Sequence, residues 1–231
     1  MTHLWVRAES RAHEQRVGLT PSGAQQLRDA GITVTVERSS QRAIAIDGYA
    51  AAGCAIAPEG SWTSAPADAI IFGLKELPED GTPLPHRHRF TAGGGTLYDL
   101  EYLVDDTGRR VAAFGYWAGY AGAAVSLIAW IAQQAGGIAG PVSTYQSAKA
   151  MCDALRTALG PQRPNTLIIG ALGRVGTGAA DLYGALDLPV TKWDMAETAS
   201  GGPFPEILAH DIFLNCILAR EGTPVFVPAS A

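Results

Sequence analysis

The sequence predicts an α/β fold in which parallel strands alternate with helices, and three observations carry that expectation. Short apolar strands recur between helical stretches through the first third of the chain. Thr166-Leu167-Ile168-Ile169 is an apolar run of the kind buried on both faces of a parallel sheet. That run ends directly on a glycine turn, Gly170 to Gly176, and an alanine-rich helical stretch follows to about Leu186.

The elements follow in chain order. Leu4-Trp5-Val6 is a short strand leading into the charged segment Arg7 to Arg16. Thr20-Pro21-Ser22 opens a helix, because proline suits a first turn that has no use for its missing N–H, and Gly31 stops it. Ile32 to Val36 alternates β-branched residues and predicts a strand. Asp47 to Gly53 reads as a short helix. Ala69-Ile70-Ile71-Phe72 is a third strand that runs into Gly73-Leu74-Lys75-Glu76. From Pro78 to Gly95 the chain is irregular. His86 and His88 there have the i, i+2 spacing that would place both on one strand face, but prolines break the segment and no third ligand is evident, so no metal is expected.

Thr96 to Val104 and Arg110 to Phe114 flank the turn sequence Asp105-Asp106-Thr107-Gly108 and predict a hairpin. Tyr116 to Gln134 predicts one long helix, with Gly119 and Gly122 on a small-residue face and Tyr120, Leu127, Trp130 and Ile131 as bulk. Small residues, Tyr and Gln dilute it as a membrane span, so a buried inter-domain helix is expected and no membrane association. Gly136 to Pro141 reads as a linker and Ser147 to Leu159 as a second amphipathic helix. Val190 to Asp194 is a strand ending on a carboxylate, and Asp211 to Cys216 is another. The expected division is an N-terminal α/β substrate domain over 1–115, inter-domain helices over 116–160 and a nucleotide-binding domain over 161–231.

Composition excludes several classes. With 47% hydrophobic and 17% charged residues the chain has material for a core, which argues against disorder. A net charge of −5 with no basic cluster argues against nucleic acid as a partner. Cys54, Cys152 and Cys216 are far apart and give neither a disulfide framework nor CxxC spacing, so they read as reduced thiols of a cytoplasmic protein. The first residues lack the charged and apolar regions of a signal peptide.

The glycine turn has a specific chemistry. One glycine bends the chain out of the strand, another admits a pyrophosphate to the backbone, and a third packs the helix on the sheet. The helix N-terminus then offers N–H groups and partial positive charge to phosphates. Asp194 lies about 20 residues on, where a carboxylate accepts from ribose hydroxyls and favours NAD over NADP. The spacing is G-x-x-G-x-x-G instead of G-x-G-x-x-G, and an α/β turn that binds nothing is the alternative.

Segments across nearly the whole chain resemble one family, the NAD-dependent, lysine-forming saccharopine dehydrogenases. They are Arg7-Ala8-Glu9, Glu14-Gln15-Arg16, Gly73-Leu74-Lys75-Glu76, Gly95-Thr96-Leu97-Tyr98-Asp99-Leu100-Glu101 and Gly108-Arg109-Arg110-Val111-Ala112-Ala113-Phe114-Gly115. Further along come Gly170-Ala171-Leu172-Gly173-Arg174, Lys192-Trp193-Asp194, Glu197-Thr198, Gly201-Gly202-Pro203-Phe204 and Asn215-Cys216-Ile217. The resemblance implies two Rossmann-like α/β domains around a cleft, in an alanine dehydrogenase-like architecture with the second domain truncated. It implies oxidative cleavage of saccharopine, or of a related amino-acid secondary amine, to lysine and 2-oxoglutarate, with NAD as cofactor.

By the same resemblance Lys75 matches the family's acid–base lysine. Arg16 and Arg110 match its carboxylate-binding arginines, and Glu14, Glu76 and Glu101 match acidic residues that tune the site. The cofactor falls to Gly170, Gly173, Arg174, Val175, Gly176, Asp194, Cys216 and Ile217. Taken alone, Glu14 with Arg16 and Arg109 with Arg110 would read as solvated charges. Two departures stand out. After His86-Arg87-His88-Arg89-Phe90 the family continues into a Phe-Ala-His-Cys-Tyr-Lys segment holding its second catalytic residue, a histidine. Here roughly twenty residues are absent at that point, more than ordinary loop variation. The family also completes the nucleotide sheet beyond Asn215-Cys216-Ile217, so a homo-oligomer or a second chain completing the fold is expected. A non-redox protein on the same scaffold, such as a partner subunit, a ligand-binding remnant or a repurposed biosynthetic enzyme, is the other function class that the sequence leaves open.

Overall fold

A computed structural model describes residues 1–75, 96–219 and 221–229. The chain divides into two compact units. One comprises Met1–Asp99 with Thr144–Ser147, the other Leu100–Ser143 with Ala148–Ala231.

In the first unit the strands are β1 (His3–Val6), β2 (Thr33–Glu37), β3 (Ala55–Ala57) and β4 (Ile70–Phe72), with helices α1 (Pro21–Asp29) and α2 (Ile46–Ala51). The sheet runs β3-β2-β1-β4 and every pairing is parallel, with Leu4 opposite Val34 on one side and Ile70 on the other. Thr20 caps α1 by accepting from the Gly23 N–H at 3.1 Å, with Pro21 next to it. Gly31 leaves the helix at φ +83°, a left-handed conformation that glycine adopts without a Cβ clash. The core is Val6, Ala24, Val34, Val36, Tyr49, Ala52 and Cys54. The Tyr49 hydroxyl donates to Leu19 O at 2.7 Å, which satisfies its buried polar end. β3 was not legible in sequence, because Ala55-Ile56-Ala57 is too short to show a period.

A polar network lies under the carboxyl ends of this sheet. Glu37 is fully buried, and its carboxylate accepts from Trp5 Nε1 (3.0 Å), Ala8 N (2.9 Å), Gly60 N (3.0 Å) and Trp62 N. Arg42 pairs with Glu9 at 3.0 Å, both side chains nearly inaccessible, and also donates to Glu37 O and Arg7 O. Burying these charges is tolerable because each is hydrogen-bonded several times over.

The second unit contains α3 (Gly115–Gln134), α4 (Ala148–Leu159), β5 (Thr166–Ile169), α5 (Arg174–Ala185), β6 (Val190–Trp193) and β7 (Ile212–Asn215). Its sheet is parallel, in the order β6-β5-β7. The central strand β5 is buried at every position. Its alternation serves two faces: Ile168 joins the α3, α4 and α5 side chains, and Leu167 and Ile169 pack with Phe204 and Ile207. The long helix forms as expected and buries Gly119, Tyr120, Ala123, Ala124 and Leu127 within this unit. Among the described residues no helix is long and apolar enough to cross a membrane. The hairpin is a correction. Val104 and Arg110 form one isolated antiparallel bridge around the Asp105 turn, and Leu100–Tyr102 is a 3-10 turn. Leu103, Val104 and Val111 are exposed, so no buried face extends the ladder.

Helices α3 and α5 cross at glycines. A Cβ on Gly119 would overlap the Val175 carbonyl, and one on Gly178 would overlap the Tyr116 carbonyl. Gly122, one turn along α3, faces open space. Gly119→Ala or Gly178→Ala should therefore cost at least about 2 kcal/mol by forcing the crossing apart. Gly122→Ala should stabilise by about 0.5–1 kcal/mol through helix propensity alone. Urea unfolding of the three variants checks the contrast.

Candidate functional site

Where the strands flanking a central parallel strand lead off in opposite directions, a crevice opens at the carboxyl ends. The first sheet has this point between β1 and β4, the second between β5 and β7. The sequence-predicted residues fall at these two places.

In the first unit β1 exits into the loop bearing Glu14 and Arg16, and β4 exits into Gly73-Leu74-Lys75. Glu14 is buried, and one of its carboxylate oxygens accepts from Arg16 N (3.1 Å) and Nε (2.8 Å), the other from an Arg16 terminal nitrogen (2.6 Å). This two-pronged grip holds the Glu14 carboxyl below the usual carboxylate range, and the Lys75 charge adds to the effect. Arg16 is correspondingly raised, first by its bond to Glu14. Glu14 and Arg16 are thus brought together, with Lys75 at the exit of the neighbouring strand β4. Lys75 is exposed and takes φ +68°, a left-handed conformation that costs a lysine about 1–2 kcal/mol. Glu76 lies outside the described residues, as do His86 and His88.

In the second unit β5 ends on Gly170, whose φ of +78° and closeness to the next loop exclude a side chain; a Cβ there would sit 2.8 Å from Ile217 Cγ2. Gly176 packs its Cα against the Gly170 carbonyl, where a Cβ would overlap it. No side chain caps α5 at Gly173, so the N–H groups of Arg174, Val175 and Gly176 point out of the helix without an intrahelical acceptor. That is the donor set a phosphate needs, and the absent Cβ atoms let it approach. Asp194, at the end of β6, accepts from Leu172 N and Met195 N, each at 2.9 Å, one on each oxygen. Each oxygen keeps a lone pair for a ribose hydroxyl while the same carboxylate braces the glycine turn. Cys216 bonds through its N–H to Ile169 O at 2.9 Å, and burial pushes its thiol pKa up, so it stays neutral. The residues fit a dinucleotide.

Arg110 and Glu101 also belong to the second unit, where they form an ion pair at 2.6 Å with both side chains largely exposed. Arg174 reaches from the glycine turn to donate to Arg110 O at 2.8 Å. The predicted residues therefore form two groups: Glu14, Arg16 and Lys75 in one unit, and Glu101, Arg110 and the nucleotide turn in the other. Sequence reasoning missed Arg7, Glu9, Glu37 and Arg42, whose burial nothing in a charged segment announces. It also missed Leu172 as the Asp194 donor, because a backbone N–H leaves no mark in a sequence. Among the described residues no cluster of three metal-ligating side chains occurs.

The depressed Glu14 carboxyl ties stability to pH. Its contribution is fully present above the ordinary glutamate value of about 4.3 and fades as pH falls through the lower folded value. Arg16→Gln should cost about 0.5 kcal/mol near pH 7, since Arg16 is half exposed and screened, and progressively less below about pH 4. Unfolding midpoints measured at both pH values read this difference.

Residues 5–89 match the family profile described as Alanine dehydrogenase/PNT, N-terminal domain. The lysine-forming, NAD(+) saccharopine dehydrogenase of Candida albicans is 44% identical over 265 residues, covering 97% of this chain and 69% of that protein. Its counterpart in Schizosaccharomyces pombe is 46% identical over 255 residues, with coverage of 97% and 69%. Among solved structures, the transhydrogenase from Sinorhizobium meliloti superposes with a TM-score of 0.50 at 15% identity, over 94% of this chain and 70% of that one, a likeness of fold alone. Identity at this level across nearly the whole chain places the protein in the saccharopine dehydrogenase (NAD-dependent, L-lysine-forming) family.

Proposed function

We propose that this chain catalyses the oxidative cleavage of saccharopine: saccharopine, NAD+ and water give lysine, 2-oxoglutarate, NADH and a proton. Membership of the family makes the protein an NAD-dependent amino-acid oxidoreductase. The finer assignment of substrate rests on one observation, the placing of Lys75 and of the Glu14–Arg16 pair at the exits of the adjacent strands β4 and β1, where the strand order reverses.

In this reading the free N–H groups at the α5 N-terminus, the Asp194 carboxylate and the backbone at Cys216 and Ile217 would hold NAD, which would supply a hydride acceptor. Arg16 and Arg110 hold substrate carboxylates, a task suited to the planar fork of guanidinium donors. Glu14 and Glu101 each pair with one of these arginines and fix its direction. Glu76 belongs to the same acidic set by resemblance. Lys75 receives and returns the protons moved as the secondary amine becomes an imine, water adds, and the carbinolamine collapses to amine and oxo acid.

A second reading has its own observation. The relatives align over 255 and 265 residues, more than the 231 of this chain, so they carry residues with no counterpart here. If the family's histidine is among them, the protein would bind NAD and an amino-acid or 2-oxo-acid ligand without efficient turnover. The reading as a whole includes a cytoplasmic setting, on the three free thiols, and a homo-oligomer or second chain, on the open outer edges of β6 and β7 among the described residues.

Mixing the protein with NADH, lysine and 2-oxoglutarate should consume NADH, followed by its absorbance. Lys75→Met should lower kcat at least about 100-fold, the ordinary scale for a general acid–base group, with NAD affinity unchanged by calorimetry. NAD binding without turnover selects the second reading, and no NAD binding ends both. Asp194→Ala should weaken NAD at least about tenfold, by removing the ribose acceptor and the brace on Leu172.

A further inference from the structure

The lysine at the β4 exit stands in a conformation that lysine does not choose, and something in the fold must hold it there. Lys75 has φ +68°, and the residues before it, Gly73 and Leu74, have already left the strand. One side chain reaches this corner from the neighbouring strand. Arg7 follows β1 directly, and its backbone N–H extends the β1–β4 ladder to Phe72 O at 2.9 Å. Its guanidinium then turns along the β4 exit. One terminal nitrogen donates to Lys75 O at 3.0 Å and to Leu74 O at 3.4 Å, and the other donates to Ser10 Oγ at 3.0 Å. Arg7 is only 5% exposed.

Gly73 makes room for this arrangement. A Cβ there would overlap Arg7 Nε and the adjoining guanidinium carbon. Gly73 is thus glycine for the sake of the arginine lying against it, not for a positive φ. The other end of Arg7 is anchored too, since its carbonyl accepts from Arg42, which is itself locked by the buried Glu9. A chain of buried polar groups therefore runs from Glu9 through Arg42 and Arg7 to the backbone of Lys75.

We infer that Arg7 is a positioning residue for Lys75: its guanidinium grips the Lys75 and Leu74 carbonyls, fixes the left-handed turn, and so sets the direction in which the Lys75 side chain leaves the β4 exit. The assignment rests on the reading of Lys75 as the acid–base residue, but its geometric content is independent of turnover. Without the grip the turn relaxes toward negative φ, and a side chain leaving a left-handed Cα points elsewhere after that change.

The test uses the full chain and reads Lys75 directly. The protein has two other lysines, Lys149 and Lys192, which serve as internal controls. Arg7→Met is labelled with an amine-acylating reagent across a pH series, and each lysine is followed by mass spectrometry. The expected result is a change of at least threefold in the Lys75 labelling rate, with a displaced pH profile, while Lys149 and Lys192 keep theirs. Arg7→Lys, which retains one cationic donor, should restore part of the difference. Gly73→Ala keeps the arginine but pushes its guanidinium off the carbonyls, and it should reproduce the change if Arg7→Met does not fold. In the NADH assay both variants should lose kcat by at least tenfold with KM for lysine little altered. A folded Arg7→Met or Gly73→Ala with Lys75 labelling and pH profile like the parent overturns the inference. If the parent itself shows no turnover, the proposed activity fails, and the labelling comparison still decides the role of Arg7.

Discussion

Parallel pairing on both edges of a central strand is the constraint from which the chemistry of this protein descends. β1 is flanked by β2 and β4, and β5 by β6 and β7. Parallel strands need crossovers, and crossovers leaving in opposite directions cannot close over the carboxyl ends of the two strands they separate. The chain segments that leave those ends therefore begin outside regular structure while rooted in the sheet. Glu14, Arg16 and Lys75 occupy one such place, and Gly170 to Gly176 with Cys216 and Ile217 the other. Each unit supplies the same solution to the same geometric problem and fills it with different chemistry: cations and carboxylates in one, bare backbone donors in the other.

The two units are built differently beneath these places. The nucleotide turn depends on missing atoms. Gly170 and Gly176 touch the backbone across the turn, and Gly119 and Gly178 let α3 and α5 meet at carbonyl distance, so the helix that follows the turn is seated without slack. The first unit depends instead on buried charge. Glu37 collects four N–H donors from two separate stretches of chain, Trp5 with Ala8 and Gly60 with Trp62, and Arg42 joins Glu9 to the backbone at the ends of β1 and β2. Such a network gives little net stability for the desolvation it requires, but it defines one arrangement sharply, because any slip strands a buried charge. Positional precision at Lys75 is a use for that property.

The glycine turn and its acidic strand end were legible because steric need acts on residue identity: only glycine fits, and only a short carboxylate reaches. Strand β5 was legible for a similar reason, since burial on both faces demands an unbroken apolar run. The hairpin around Asp105 was misjudged because turn residues specify a turn but not the ladder beside it, and Leu103, Val104 and Val111 have no apolar face to share. β3 escaped notice because Ala55–Ala57 borrows its structure from the strand it pairs with.

The sequence by itself determined the α/β class, the glycine turn and the family, each written in residue types at fixed local spacing. The tertiary structure alone decided which charges of the segment after β1 go inside: Arg7, Glu9 and Glu14 are buried, while Arg11, His13 and Arg16 stay exposed. Glu37 on β2 is buried as well, and Lys75 takes left-handed geometry at the β4 exit. The physical reason is that a charge is buried or exposed according to partners supplied by distant strands. Those partners are separated from Arg7 by 35 residues at Arg42 and 68 at Lys75. Local sequence holds no record of that meeting, whereas a glycine turn carries its own.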